Sequence, residues 1–128
     1  MSKILLIEDD SILLAMYRDK FIHENFEVKT ADDGEEGINI MRSFLPNVVL
    51  LDLMMPERSG FDVLKFAKND PELKNIPIIV LTNVTVDGDD IIKNWGAAGF
   101  LLKADNTPDE VVVKVNLLLS KPPISTPS

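Results

Sequence analysis

The chain contains no cysteine. Neither a disulfide framework nor a thiolate zinc site can be built from it, which fits a reducing compartment such as the cytoplasm. It is also short of base: 13 Lys and Arg stand against 21 Asp and Glu, a net charge of -8. Phosphate contacts need clustered Lys and Arg, so direct nucleic-acid binding is not expected. Long apolar runs are missing too. None approaches the roughly 20 residues of a membrane span, and no charged-then-apolar leader precedes the first apolar run. A membrane role is not expected. The single histidine, His23, falls in a candidate helix without the partner helices of a phosphotransfer bundle, and reads as a solvated residue.

What is present is enough for one domain with a single core: 128 residues, 45% hydrophobic and 27% charged. Strand-like and helix-like segments alternate. Strand candidates are 3–7, 26–30, 47–51, 77–82 and 99–102, and helix candidates are 11–24, 34–44, 60–68, 88–95 and 108–119. Such alternation implies an α/β fold, with parallel strands, right-handed crossovers and helices on both faces. Asp33-Gly-Glu-Glu36 and Thr107-Pro-Asp-Glu110 read as capping boxes, and Ser59-Gly-Phe-Asp62 as a weaker one. Asp10 reads as the cap of the first helix. In that helix Leu13, Leu14, Tyr17 and Phe21 recur at helical spacing and should face the sheet. Trp95, at the end of the fourth helix, reads as core. Residues 1–120 should form the domain. Residues 121–128, rich in Pro and Ser, should be a loose tail or the start of a linker.

Two apolar runs end in acid. Lys3-Ile-Leu-Leu-Ile7 leads into Glu8-Asp9-Asp10, and Val48-Val-Leu-Leu51 leads into Asp52. A carboxylate at the tip of a buried strand must be paired, metal-bound or at the mouth of a crevice, because burying it bare is too costly. In a five-stranded sheet of order 2-1-3-4-5, the switch in strand order lies between the first and third strands, and ligands bind beyond it. One edge would then carry Glu8, Asp9 and Asp52, the Thr82 hydroxyl and the Lys103 ammonium. That set suits phosphoryl transfer to a carboxylate: Asp as nucleophile, Mg²⁺ between carboxylates and phosphoryl oxygens, Lys and Thr stabilising the added charge.

Glu8-Asp9, Asp52 followed by Met55-Pro56 and Gly60, then Thr82 and Lys103 stand in the order and spacing of one family. Over about residues 3–119 the chain resembles bacterial two-component response-regulator receiver domains of the stand-alone chemotaxis-regulator kind or excised from a larger protein. The resemblance implies a flavodoxin-like receiver fold, with Asp52 as phosphoacceptor. Asp9 would bind Mg²⁺ directly and Glu8 through water, with the Met54 backbone carbonyl as a further ligand. Thr82 would be the switch hydroxyl and Lys103 the phosphoryl-pairing lysine. Phe100 stands where the family places its second switch residue, and a static core ring is an equal reading. Gly60 reads as a turn residue, and the Met54 and Met55 side chains as packing. The family usually has Pro after the active-site Lys, whereas here Ala104 follows Lys103. A cis bond before Ala costs about 3–4 kcal/mol, so a trans bond with a shifted loop is expected. Apolar Met54 and Val84 flank the expected path of attacking water.

The resemblance also implies a phosphodonor, either a histidine kinase or a histidine phosphotransfer protein, and a downstream protein target that the sequence does not identify. Ile12 and Met16 should point away from the core face of the first helix, either as a patch that docks the donor's helices or as plain packing at the helix flank. On the last helix Val111, Val115, Leu118 and Leu119 fit the core stripe, while Val113 and Leu117 fall on another side, as a partner surface or a wide apolar face. The chain is read as a phosphoacceptor and not as an enzyme. A haloacid-dehalogenase-like phosphatase wants a second Asp where Met54 stands. A flavodoxin-like FMN carrier wants a Ser/Thr/Gly phosphate loop where Glu8-Asp9-Asp10 stand.

Overall fold

A computed structural model describes residues 1–55, 59–83 and 86–120. Five strands and five helices alternate: β1 Lys3–Ile7, α1 Ser11–His23, β2 Glu27–Ala31, α2 Gly34–Phe44, β3 Val48–Leu51, α3 Gly60–Lys68, β4 Ile78–Thr82, α4 Gly88–Lys93, β5 Gly99–Leu102 and α5 Pro108–Ser120. All strand pairs are parallel, in the order β2-β1-β3-β4-β5. This is the flavodoxin-like receiver fold, with its order switch between β1 and β3. The Pro/Ser-rich segment 121–128 lies outside the described residues.

The continuous apolar strands are buried because successive side chains leave a strand on opposite faces. Leu5, Ile7, Val49, Leu51, Ile78 and Val80 enter one core with Ile38, Met41, Val63 and Leu64. Ile4, Leu6, Val48, Leu50, Ile79 and Leu81 enter the other with Tyr17, Phe21, Val111 and Val115. Leu13 and Leu14 pack against that second core, as do Leu118 and Leu119. Each fully buried Leu, Ile or Val contributes about 1.5–3 kcal/mol, so both faces lock the register. That register sets Ile7 beside Leu51. The next residues, Glu8 and Asp52, therefore emerge side by side.

Helix starts follow local chemistry. Asp10 accepts from the backbone N–H groups of Ile12 and Leu13. Thr107 and Glu110 form a reciprocal capping box. The Ser59–Asp62 box, read as the weaker one, is also reciprocal. In α2 the Asp33 side chain caps Glu36, but Glu36 reaches back to the Asp32 N–H and not to that of Asp33. Helix α4 stops at Lys93, two residues short of the reading from sequence, because the chain turns at Gly96 with φ +81°. Trp95 thus lies beyond the helix, half-buried with its ring 4.8 Å from that of Phe61.

Candidate functional site

Four of the five strands deliver functional groups to one edge of the sheet, at and beside the order switch. Glu8 and Asp9 follow β1, Asp52 follows β3, Thr82 ends β4 and Lys103 follows β5. The Asp52 N–H donates to the Ile7 carbonyl at 3.0 Å, fixing the two acidic strand ends against each other. Glu8 and Asp52 are each only 7% exposed, and Thr82 is fully buried. One oxygen each from Glu8, Asp9 and Asp52 lies within 4.8 Å of the others.

The Lys103 ammonium joins this cluster. It donates to Glu8 Oε1 at 2.5 Å and to Asp52 Oδ2 at 3.2 Å. The remaining oxygens are held by backbone: Asp10 N–H donates to Glu8 Oε2 and Met54 N–H to Asp52 Oδ1. Burial is the main cause that raises the Glu8 pKa from 4.5 to about 7, and the Asp52 charge adds to it. Burial alone would lower the Lys103 pKa, but the Glu8 and Asp52 carboxylates more than offset it and hold the ammonium above its usual range. Three carboxyl groups thus crowd around one ammonium, an excess of acid over base. A small divalent cation would neutralise it. Hard oxygen donors at this spacing suit such an ion.

Gly60 makes the geometry possible. A Cβ there would overlap the Asp52 carbonyl oxygen and come within 2.7 Å of the Leu53 Cα. Its N–H donates to the Leu53 carbonyl at 3.0 Å, tying the start of α3 to the chain just after Asp52. Sequence reading had given this glycine only a turn.

Lys103 opens a 3₁₀ turn, Lys103–Asp105, and the Lys103–Ala104 bond is trans, as are all peptide bonds among the described residues. The turn is pinned from behind. The buried Asn106 side chain donates to the Leu102 carbonyl at 2.9 Å and accepts from Lys114 Nζ at 2.5 Å. Neither Asn106 nor Lys114 stood out in the sequence, because a lone Asn before a helix reads as ordinary loop chemistry.

Other predicted residues divide. Phe100 is half-buried against the core, its ring 3.0 Å from where a Cβ on Gly88 would lie. Ile12 is 80% exposed, and Val113 and Leu117 are exposed as read. Met16 does not point away from the core but takes the packing reading: it is half-buried against the second core, as Leu13 and Leu14 are, because its helical position falls on the flank of the core stripe. The Met54 side chain also does not pack; it is 62% exposed beside the site, whereas Met55 does pack. Pro56 and Val84 lie outside the described residues. Among the described residues no helix is long and apolar enough to cross a membrane.

Acid at two adjacent strand ends, a strand-end hydroxyl and a bridging lysine form one acidic site at the edge of a doubly wound sheet. A family profile, "Response regulator receiver domain", matches residues 4–116, and the chain belongs to that family. The polar-differentiation response regulator DivK of Brucella anthropi is 29% identical over 106 residues, covering 82% of this chain and 86% of that one. The chemotaxis protein CheY4 of Vibrio cholerae superposes with a TM-score of 0.83 at 27% identity, over 91% of this chain and 98% of that one. The non-phosphorylated HemR receiver domain from Leptospira biflexa gives a TM-score of 0.84 at 25% identity, over 96% and 98%.

Proposed function

We propose that Asp52 accepts a phosphoryl group from a phosphohistidine, on a histidine kinase or a histidine phosphotransfer protein, and that the chain passes this state to a protein target in a two-component phosphorelay. The observation that carries the reading is Lys103 donating to both Glu8 and Asp52, with Asp9 beside them. A carboxylate oxygen of Asp52 attacks phosphorus as the P–N bond breaks, and the imidazole leaves with the bonding pair and takes up a proton. Lys103 would face the added charge, and Thr82 would donate to a phosphoryl oxygen. Mg²⁺ is the cation that fits: Asp9, Asp52 and the Met54 carbonyl would hold it, with Glu8 through water. When bound, it neutralises charge on nucleophile and phosphoryl group.

Phe100 and Thr82 are the residues through which the phosphorylated state would reach the outer surface. Ile12, standing free on α1 next to the site, suits contact with the donor, and Val113 and Leu117 suit contact with a target. The chain is an acceptor, not a catalyst that turns over a separate substrate, and it works in the cytoplasm. The test is intact mass after incubation with acetyl phosphate and Mg²⁺. One added phosphoryl group is expected, lost with EDTA and in Asp52→Asn. A folded, Mg²⁺-binding protein that gains no mass from acetyl phosphate or from any phosphohistidine donor would overturn the reading.

A further inference from the structure

The carboxylates of the site and its ammonium are held by different means. Glu8 and Asp52 leave β1 and β3, which are paired on both sides, whereas Lys103 leaves β5, an edge strand paired only with β4. The β4–β5 register ends at Thr82 opposite Leu102, one residue before Lys103. In the turn that follows, the bond from the Asn106 N–H to the Lys103 carbonyl is long at 3.4 Å, and no side chain caps the start. So loose a turn would not aim a lysine, whose flexible stem has many rotamers. Yet the Lys103 side chain is only 11% exposed and donates to Glu8 and Asp52 at once.

The Asn106 side chain supplies what the turn lacks. It is buried, and its amide is bonded at both ends: Nδ2 donates to the Leu102 carbonyl at 2.9 Å, and Oδ1 accepts from Lys114 Nζ at 2.5 Å. These partners permit one amide orientation, because a carbonyl only accepts and an ammonium only donates. A carboxylate in this place would accept from Lys114 but repel the Leu102 carbonyl, and an apolar side chain would answer neither. Lys114 is set in turn by α5. The Thr107–Glu110 box starts that helix directly after Asn106. Helical side chains lean toward the N-terminus, which brings the ammonium back to Asn106 from eight residues along. The Leu102 carbonyl and the Lys103 Cα belong to one planar peptide group. Fixing that oxygen therefore fixes the plane from which the Lys103 side chain departs.

We propose that Asn106, oriented by Lys114, is a positioning residue of the site, holding the Leu102–Lys103 peptide so that the Lys103 ammonium is aimed at Asp52. The proposal rests on the function proposed above. It assigns neither residue a contact with metal or phosphoryl group.

Asn106→Ala removes both bonds. Labelling of Asp52 by acetyl phosphate at saturating Mg²⁺, followed by intact mass on the full chain, should slow about tenfold, since misplacing a reacting group by an ångström can cost about 100-fold. Mg²⁺ affinity by titration calorimetry should be unchanged or higher, because the Lys103 ammonium opposes a second cation at the same carboxylates. A merely structural role would weaken both. Lys114→Met, at an exposed position, should slow labelling about threefold, and Lys114→Arg, which keeps a donor, should restore it. If Asn106→Ala does not fold, the Lys114 pair decides alone. Labelling of a folded Asn106→Ala protein within about twofold of wild type would overturn the proposal. So would a joint fall in labelling and Mg²⁺ affinity, or a Lys114→Met rate equal to that of wild type. Failure of the underlying function looks different: wild type itself would gain no phosphoryl group at Asp52, and the positioning role would fall with it.

Discussion

Replacing Asp52 with Asn should stabilise the metal-free protein, although it removes one end of a buried ion pair. The pair to Lys103 spans 3.2 Å, worth about 5 kcal/mol at an effective dielectric constant near 20. Against it stand Glu8 and Asp9, each with an oxygen within 4.8 Å, or at least about 3.5 kcal/mol of repulsion apiece on the same scale. The Asp9 share is reduced because that residue is exposed. These charge terms nearly cancel. The deciding term is desolvation of a carboxylate left 7% exposed, a cost of several kcal/mol for a buried ion, which a neutral amide largely avoids. Lys103 is not left unpaired, since Glu8 still accepts from it at 2.5 Å. The expected gain is about 1–3 kcal/mol at about pH 8, where Glu8 is ionised, or roughly 4–10 °C in Tm. At about pH 5.5 Glu8, with its pKa near 7, is protonated and the gain should shrink. Thermal and urea unfolding in EDTA, repeated with Mg²⁺, measure this. Mg²⁺ should stabilise wild type far more than the variant. An Asp52→Asn protein less stable than wild type in EDTA at about pH 8 would refute the reasoning, because it would make the site a net contributor to folding.

Glu8 predicts a pH dependence of the metal-free wild type. Its folded pKa of about 7 lies above the ordinary 4.5, so its contribution is complete below about pH 4.5 and is lost as pH rises through 7. The Lys103 pKa is also raised, so its contribution persists to the usual lysine range and fades only at alkaline pH. Tm in EDTA should therefore fall between about pH 5 and 8, and Mg²⁺ should flatten the slope; a rising Tm would contradict the sign. Gly60→Ala should destabilise by about 1–3 kcal/mol in urea unfolding and weaken Mg²⁺ binding, because the new methyl displaces the Asp52 backbone. Leu45 ends α2 in the left-handed region at φ 48° while 49% exposed; Leu45→Gly should raise stability by about 0.5–1 kcal/mol, and a lower urea midpoint would show that its packing outweighs the strain. Ile12→Ser should slow transfer from a cognate kinase and leave acetyl phosphate labelling unchanged; equal loss of both would remove Ile12 from the docking surface.

The fold was legible because each strand is a continuous apolar run and each helix start carries its own cap. β1, α2, α3 and β5 have the bounds read from sequence. The end of α4 was missed because its stop lies in the backbone of Gly96, whereas apolar spacing runs on to Trp95. The acidic cluster was legible at Glu8, Asp9 and Asp52, since a carboxylate at the end of an apolar strand has few explanations, whereas Lys103 stood out only through the family pattern. Its supports were not. Gly60 matters through a contact with a backbone carbonyl eight residues earlier, and Asn106 through a carbonyl and a lysine. None of these leaves a periodic trace. Met54 was misjudged for a related reason, and Met16 left open: on a loop or at the flank of a helix, an apolar residue type does not say which way its side chain leaves the chain.

In a parallel sheet with helical crossovers every helix begins at the edge where the strands end, so the caps of all five gather around the site. Asp10, Asp33, Ser59, Asp87 and Thr107 start the helices there, with Glu35, Glu36, Asp62, Asp89, Asp90, Asp109 and Glu110 in the first turns. Lys20, Arg42, Lys65, Lys68 and Lys93 lie in the last turns, at the far edge. The domain is thus a large electric dipole whose negative pole surrounds the Asp52 cluster. Cations are concentrated there before any contact forms, and small anionic donors are held off. Screening acts on the two in opposite directions: added salt should speed labelling by a small phosphate anion and slow docking by a donor protein with a basic face. The caps that start the helices thereby also set the sign of charge that is drawn toward Asp52.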